Sequence, residues 1–198
     1  DEMVSHVYDI TYGSVRANQD TLVVIDESIV RGTTLQKSIL RILDRLSPKR
    51  IIIVSSAPQI RFPDCYGIDM SRMNDFIAFR ALIALIKENG KESELQRVYE
   101  LCKAELAKPV AENINHVKQL YQLFSVEQIS AKISEIVRPP QIFADVQVIY
   151  QTIENLHIAC PKNLGDWYFT GDYPTPGGNR VANKAFINYM EGKNERAY

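Results

Sequence analysis

Residues 21–34, which read TLVVIDESIVRGTT, place two adjacent carboxylates at the end of a short apolar run. Asp26 and Glu27 could bind sugar hydroxyls or a divalent cation, because Mg²⁺ prefers oxygen ligands. Small and hydroxyl-bearing residues follow and lead into a predicted helix, whose first backbone N–H groups lack partners within the helix and attract anions. The segment therefore predicts a site for a ligand with a phosphate at one end and hydroxyls or a bound cation at the other, such as a sugar phosphate.

The small residues after the acidic pair supply the anion side of this predicted site. Gly32 has no Cβ, so a ligand can approach its backbone closely, and the hydroxyls of Ser28, Thr33 and Thr34 add possible donors. The pattern is neither a Walker A loop, since no lysine follows Gly32, nor the G-x-G-x-x-G dinucleotide fingerprint. As an alternative, the two acids would only solvate the end of a strand. The apolar run before them and the R-G-T-T after them favour a site.

The elements around the segment predict an α/β unit. Leu22–Ile25 is a run of apolar residues typical of a strand that is buried on both faces. From Thr33, apolar residues recur at three- and four-residue spacing, which predicts a helix that ends at Ser47-Pro48. Ile51–Val54 follows as a second buried strand. This order predicts two parallel strands with a right-handed crossover, and ligands bind beyond the carboxyl ends of such strands, where the acidic pair lies.

The rest of the chain is predicted to be mainly helical and to form one continuous unit. Gly90 ends a well-buried helix, and Ser125 begins another with Gln128 as its capping-box partner. We predict a short strand over 4–12, a loop over 56–69, helices over 71–89, 92–107 and 110–124, a strand over 145–151, a short helix through 156, an aromatic loop over 165–180 and a terminal helix over 182–191.

Composition excludes several classes of function. The chain of 198 residues has a formal net charge of -1, which gives no reason to expect binding to nucleic acid or to an acidic membrane surface. No apolar run approaches the roughly 20 residues of a membrane-spanning helix. The three cysteines, Cys65, Cys102 and Cys160, are far apart, which favours a reducing cytoplasm over a disulfide framework and offers no zinc-ligand spacing.

Three segments resemble a known family. The apolar run, the two acids and S-I-V-R-G-T-T resemble the phosphoribosyl-pyrophosphate (PRPP) motif of type I phosphoribosyltransferases. SSAPQIRFPDCYGIDM and YFTGDYPT narrow the resemblance to the glutamine PRPP amidotransferases. It is strong over Leu22–Met70 and looser over Tyr150–Thr175. It implies a partial type I phosphoribosyltransferase fold, an α/β fold with a parallel Rossmann-like sheet. Residues 1–90 would be the C-terminal half of the transferase core, and 91–198 a helical extension packed on it.

The resemblance also implies roles for the residues of the first segment. Asp26 and Glu27 would be catalytic, would bind the ribose hydroxyls of PRPP and would hold Mg²⁺. The residues around the 5′-phosphate would be Ser28, Val30, Arg31, Gly32, Thr33 and Thr34. The implied reaction displaces pyrophosphate from PRPP by glutamine-derived ammonia and gives 5-phosphoribosylamine, the first step of de novo purine synthesis. Purine nucleotides would bind as inhibitors, and the chains would assemble as a homo-oligomer.

The sequence departs from the family in ways that change these expectations. Glu27 replaces the usual second aspartate, which makes its direct contact with metal or hydroxyl less secure. An iron–sulfur cluster is not expected, because Gly165 and Tyr168 occupy the positions of the family's C-x-x-C and Cys65 would stand alone. The N-terminal glutaminase half, the pyrophosphate loop and the lid are missing before Asp26. We therefore expect a C-terminal fragment that is inactive alone.

Two further readings stay open at the level of sequence. One is another type I phosphoribosyltransferase, and the other is a non-catalytic module that senses PRPP or nucleotides. Arg61 and Asp69 are predicted to be structural, with contact to an inhibitory nucleotide as the alternative. Asp75 and Arg80 are predicted to form a solvated or paired edge rather than a site. The aromatic cluster over 167–169 is predicted to be packing rather than a base-stacking platform.

Overall fold

The computed structural model describes residues 11, 13–67, 70–162 and 165–197. Within these residues, three strands form one parallel sheet in the order β1-β2-β3. Strand β1 is Thr21–Asp26, β2 is Arg50–Ser55 and β3 is Asp145–Tyr150. Helix α1 joins β1 to β2 and consists of a π-helical turn, Leu35–Ile39, that continues into the α-helical segment Leu40–Asp44. The α/β class and the predicted βαβ unit are confirmed.

The first strand is not buried on both faces, and that prediction was wrong. The side chains of Val23 and Ile25 are 62% and 77% exposed, whereas Ile51 and Ile53 of β2 are fully buried. The difference arises because the described helices pack on one face of the sheet. The side chains on that face alternate with those on the other along each strand. Strand β1 therefore lies at an edge of the described sheet with one apolar face open.

Helix α2, Ile77–Glu88, forms the centre of the core. It begins later than predicted, because a 3₁₀ turn over Met73–Asp75 precedes it and Phe76 has an extended backbone with ψ 122°. Apolar side chains nearly encircle the helix, as the sequence indicated. Its buried residues are Ile77, Ala78, Phe79, Ala81, Leu82, Ile83, Leu85 and Ile86. Gly90, with φ +63°, follows its end.

Helix α3, Glu92–Leu106, matches its prediction, but the helix predicted over 110–124 does not form as one element. Residues Val110–Glu112 make a 3₁₀ turn, Asn113 is extended, and helix α4 covers only Lys118–Tyr121. Buried polar contacts of the intervening residues replace helical hydrogen bonds there. For example, Asn113 Nδ2 donates to the Glu105 carbonyl oxygen at 2.9 Å.

Helix α5, Val126–Val137, begins with the predicted capping box. The Gln128 N–H donates to Ser125 Oγ at 3.2 Å, and the Ser125 N–H donates to Gln128 Oε1 at 2.8 Å. The helix packs against α2 and β3. This contact holds the third strand beside the second, although about a hundred residues separate them along the chain.

The last part of the chain is more helical than predicted. Helix α6 is Ile153–Ala159, and a short helix α7, Trp167–Thr170, lies inside the predicted aromatic loop. Helix α8, Pro176–Met190, begins at Pro176 rather than Ala182. A proline suits the first turn of a helix, since its missing N–H would have no partner there. Helix α8 packs against α3.

Nearly all of the strand predicted over 4–12 lies outside the described residues. The division of the chain at residue 90 stays a prediction, although residues from both sides of it contribute to the same core. In the part of the chain that the structure describes, no helix is both long and apolar enough to cross a bilayer.

Candidate functional site

The carboxyl ends of the three strands bring polar groups to one edge of the sheet. Asp26, Ser55 and Tyr150 are partners in the register of β1, β2 and β3. Burial raises the pKa of the Tyr150 phenol, and the nearby charge of Asp26 raises it further. The Tyr150 phenol is therefore neutral at pH 7, and it lies close enough to Asp26 for an electrostatic interaction.

Two residues that follow β2 hold the backbone of the acidic pair. The N–H groups of Ser56 and Ala57 donate to the carbonyl oxygens of Asp26 and Glu27 at 2.9 and 3.1 Å. The Ser56 hydroxyl reaches the same two oxygens at 3.2 and 3.1 Å. The Glu27 N–H donates to Asp26 Oδ1 at 2.9 Å, and the Glu27 side chain is exposed. The backbone is thus fixed while carboxylate oxygens face solvent.

Residues 28–34 connect β1 to α1 and are named the phosphate loop after the ligand predicted for them. Residues of α2 hold the loop by hydrogen bonds. The Ile77 N–H donates to the Val30 carbonyl oxygen at 2.8 Å. Arg80 Nη2 donates to the Arg31 carbonyl oxygen. The Gln36 N–H donates to the Gly32 carbonyl oxygen at 3.0 Å and begins the helix. Three consecutive carbonyl groups of the loop are therefore used within the protein.

Gly32 is required by the core beneath the loop. Its φ of +68° lies in the left-handed region, which side chains with a Cβ rarely adopt. An added Cβ would lie 3.0 Å from Val137 Cγ1 and 3.4 Å from Ile77 Cδ1. The sequence predicted that the absence of a Cβ at Gly32 leaves space for the ligand, and this was wrong. The position of that Cβ faces the packed side chains of α2 and α5.

The side chain of Arg31 points to the residues that precede α2. Its Nη2 lies 3.4 Å from Asp75 Oδ2, and the same carboxylate oxygen lies 3.8 Å from Arg72 Nε. The hydroxyl-bearing residues Thr33 and Thr34 are exposed, and the Thr34 side chain makes no capping hydrogen bond to α1. Their hydroxyls are thus available on the open side of the loop.

Sequence reasoning missed part of this arrangement. Asp75 and Arg80 were predicted to form a solvated or paired edge. Both are paired, and each contacts Arg31 of the phosphate loop. The signal for Tyr150 was its place at the end of a predicted strand, which a parallel sheet brings beside Asp26. Arg61, as predicted, has a structural role, since its guanidinium donates to Gln59 Oε1 at 2.8 Å. Asp69 lies outside the described residues.

The acidic pair offers oxygen ligands of the kind that Mg²⁺ prefers. Mg²⁺ is usually held by one or two carboxylates together with substrate phosphates and water, and Asp26 and Glu27 provide that number. Among the described residues, no group of three or more His, Cys, Asp or Glu side chains is placed to hold a metal ion by itself. Any metal at this edge would therefore depend on the ligand for further oxygen atoms.

Cys65 and Tyr168, which are at or near positions of the family's cysteine ligands, lie where a network of hydrogen bonds joins two segments of the chain. Tyr168 Oη donates to Asp64 Oδ1 at 2.9 Å, and Asp64 is fully buried. Burial raises the pKa of the Cys65 thiol, and the charge of Asp64 adds to the effect. Tyr173 Oη donates to the Pro63 carbonyl oxygen at 2.6 Å. These bonds join the loop after β2 to the segment around α7.

The described residues define an α/β protein with two adjacent carboxylates at the end of β1 and a following loop whose carbonyl groups bond into the protein. No protein-family model matches the chain. Part of it is similar to amidophosphoribosyltransferases. It is 43% identical over 58 residues to that of Pasteurella multocida, which is 29% of this chain and 11% of the relative.

Two other relatives match this chain over more residues. The chain is 32% identical over 89 residues to the amidophosphoribosyltransferase of Lachancea kluyveri, with 42% of this chain and 17% of the relative covered. It is 34% identical over 73 residues to that of Pyrococcus horikoshii, covering 36% and 16%. The chain thus spans less than a fifth of the length of these curated relatives, and the similarity concerns a part of each.

Proposed function

We propose that this chain carries the ribose and 5′-phosphate part of an amidophosphoribosyltransferase site. The observation that carries the proposal is the acidic pair at the end of β1, joined to a loop whose carbonyl groups are turned into the protein. The partial similarity to amidophosphoribosyltransferases supports the choice of reaction. The same groups would bind the ribose 5-phosphate part of a purine nucleotide, which would then compete with PRPP.

In this proposal each part of the site has a separate task. The phosphate loop binds the 5′-phosphate through backbone N–H groups and the hydroxyls of Ser28, Thr33 and Thr34. Asp26 and Glu27 bind the ribose hydroxyls and would hold Mg²⁺, which neutralises the departing pyrophosphate when bound. As the bond from C1 to pyrophosphate breaks and ammonia forms the new C–N bond, positive charge develops on the ribose. The two carboxylates favour that charge.

We further propose that turnover requires residues beyond these 198. The described loop offers groups for the ribose and its 5′-phosphate, whereas PRPP also carries a pyrophosphate that must be bound and released. The relatives are several times longer than the matched region, since it makes up 11% to 17% of their length. A glutaminase region would have to supply ammonia.

Binding of ribose 5-phosphate to the ¹⁵N-labelled chain, followed by NMR with and without Mg²⁺, tests the proposal. We expect shifts in the amides of residues 26–34 and, for Asp26→Asn, at least a tenfold weaker binding, about 1.4 kcal/mol. Asp145→Asn is the matched control, because Asp145 lies at the amino end of β3 and pairs with Arg50 at 2.9 Å.

The proposal is wrong if the unaltered chain does not bind ribose 5-phosphate, or if both aspartate variants bind it equally well. In a parallel assay, PRPP, Mg²⁺ and ammonia are supplied to the chain alone. Appreciable formation of phosphoribosylamine would contradict the need for further residues, while binding without turnover agrees with it.

A further inference from the structure

We infer that Asp75 and Arg80 are positioning residues that aim the amides of the phosphate loop at the ligand. This inference rests on the proposed function, because it concerns how the same loop is held. Neither residue belongs to the motif. Asp75 ends the 3₁₀ turn over Met73–Asp75, and Arg80 lies in the first turns of α2.

The first step is the direction of the loop carbonyl groups. The Val30 carbonyl oxygen accepts from the Ile77 N–H at 2.8 Å, and the Arg31 carbonyl oxygen accepts from Arg80 Nη2. Both carbonyl groups therefore point toward α2. In a planar trans peptide, the N–H of the next residue points opposite to the carbonyl group. The N–H groups of Arg31 and Gly32 are thus directed away from α2, to the open side of the loop.

The next peptide of the loop, between Gly32 and Thr33, also has its carbonyl group bonded within the protein and its N–H directed outward. The Gly32 carbonyl oxygen accepts from the Gln36 N–H at 3.0 Å, so it points along α1 and the Thr33 N–H points back out of the helix. Gly32 has φ +68°, and a left-handed residue in a turn brings successive N–H groups to one concave side. Such a concavity binds anions. Arg80 thereby sets the middle peptide of a row of three.

Asp75 holds the same residue by its side chain. Its carboxylate oxygen lies 3.4 Å from Arg31 Nη2, so the Arg31 guanidinium is drawn toward α2, on the side of Arg80. Residue 31 is therefore attached at two points, its carbonyl group by Arg80 and its side chain by Asp75. A rotation of the peptide between Arg31 and Gly32 would break the Arg80 contact and strain the Asp75 contact.

These two contacts are separable from the stability of the helix. The start of α2 is held by apolar burial, with Phe76 and Phe79 fully buried and Ile77 1% exposed. The Arg31 and Asp75 side chains, in contrast, are 44% and 28% exposed. Loss of the polar contacts should therefore loosen the loop while the core beneath it stays packed.

The test compares Arg80→Met and Asp75→Asn with Lys87→Met, which removes an exposed cation from the same helix. Binding of ribose 5-phosphate and of inorganic phosphate is measured by calorimetry on the 198-residue chain, and the Gly32 amide is followed by ¹⁵N NMR. We expect Arg80→Met to raise Kd about tenfold and Asp75→Asn about threefold, with the ligand-induced shift of the Gly32 amide reduced in both. Lys87→Met should leave Kd unchanged.

The urea midpoint of unfolding distinguishes positioning from structural damage. Unchanged midpoints with weaker phosphate binding support the inference. If the unaltered chain binds ribose 5-phosphate and both variants bind it with the same Kd, Asp75 and Arg80 have no positioning role and the inference falls while the proposed function stands. If the unaltered chain does not bind, the proposed function falls and this inference with it. A lower midpoint in both variants together with unchanged binding of the folded fraction also overturns it.

Discussion

Two clusters of polar groups in this protein are built in opposite ways. Around Asp26 and the phosphate loop, the carbonyl groups bond inward, while the Glu27 carboxylate and the threonine hydroxyls are exposed. Around Glu105, in α3, the carboxylate is instead bound by other groups of the protein. The carboxylate of Glu105 is 2% exposed and binds His116, Lys108 and a backbone N–H.

The buried cluster joins elements that are distant along the chain. Glu105 Oε2 lies 2.7 Å from His116 Nε2 and 2.9 Å from Lys108 Nζ, and Glu105 Oε1 accepts from the Ile114 N–H at 3.0 Å. From α8, Asn183 Oδ1 accepts from the His116 N–H at 3.1 Å. Burial alone would raise the pKa of Glu105. The hydrogen bonds from His116, Lys108 and Ile114 outweigh burial and lower its pKa to about 2.

The comparison shows how a scaffold can be separated from a candidate site. Buried polar groups that satisfy one another specify the position of their elements and leave nothing for a ligand. A site keeps its backbone fixed and leaves donors and acceptors of the opposite side exposed. On this criterion the edge of the sheet at Asp26 is the candidate site. The Glu105 cluster joins three parts of the fold, namely α3, α8 and the segment that precedes α4.

The largest expected effect comes from breaking the buried cluster. Glu105→Gln should lower the free energy of unfolding by about 3 kcal/mol, because it removes a buried carboxylate charge that binds Lys108, His116 and the Ile114 N–H. Ribose 5-phosphate binding at the distant loop should not change in the folded protein. Urea unfolding and calorimetry measure the two effects.

Glu100→Gln is the control, since Glu100 lies on the exposed side of the same helix and its pair with Lys103 is 3.6 Å long. It should cost less than about 1 kcal/mol. Equal losses in the two variants would mean that the Glu105 cluster does not hold these elements together.

Lowering the pH should remove the stabilisation by Glu105 without a mutation, because the carboxylate becomes protonated. The folded-state pKa of Glu105, about 2, is below its ordinary value of 4.5. The stabilisation is therefore complete above pH 4.5 and is lost as the pH falls toward 2, by roughly 1.4 kcal/mol for each pH unit. The difference in unfolding free energy between the parent chain and Glu105→Gln should accordingly be smaller at pH 3 than at pH 6. A constant difference would show that the carboxylate is not stabilised as its contacts indicate.

The smallest expected effect separates two glycines with the same backbone conformation. Gly32 has φ +68° and an added Cβ would meet Val137 and Ile77, while Gly90 has φ +63° and open space around it. Gly90→Ala should cost about 1 kcal/mol from backbone strain alone. Gly32→Ala should cost about 2 kcal/mol because overpacking adds to strain, and it should also weaken phosphate binding. Thermal unfolding and calorimetry compare them, and an equal cost would remove the argument from packing beneath the loop.

The features that can be predicted from the sequence differ between these regions. The strand–helix–strand unit and the acidic pair follow from local patterns, since Leu22–Ile25 and Ile51–Val54 are short apolar runs around one amphipathic helix. The exposure of Val23 and Ile25 does not follow, because an apolar run does not reveal which faces of a sheet are covered. The contacts of Asp75 and Arg80 with Arg31 also escape prediction, as residues more than forty positions apart meet only through tertiary packing.

The region after residue 106 shows the same limit for helices. A helical pattern is present over 110–124. In the structure, however, Asn113 Nδ2 donates to the carbonyl oxygen of Glu105 in α3, and the Glu105 carboxylate accepts from the Ile114 N–H. Side chains that bind the backbone compete with helical hydrogen bonds. Which of the two forms over 110–124 depends on the buried carboxylate of Glu105 in another helix, and local helix propensity takes no account of that contact. Pro176 was likewise assigned to a loop although it suits the first turn of α8.

The sequence separation of the contacts also sets the entropic cost of forming each of them as the polypeptide folds. The link between β1 and the residue after β2 closes a segment of 30 residues, and Arg80 reaches Arg31 across 49. The pairing of Arg50 with Asp145 closes one of 95. Since each doubling of a closed segment adds about 0.6 kcal/mol of entropic cost, the third strand joins at a disadvantage of roughly 1 kcal/mol. The phosphate loop and α2 thus belong to the early, short-range part of assembly, and translation delivers all of their residues before β3 leaves the ribosome.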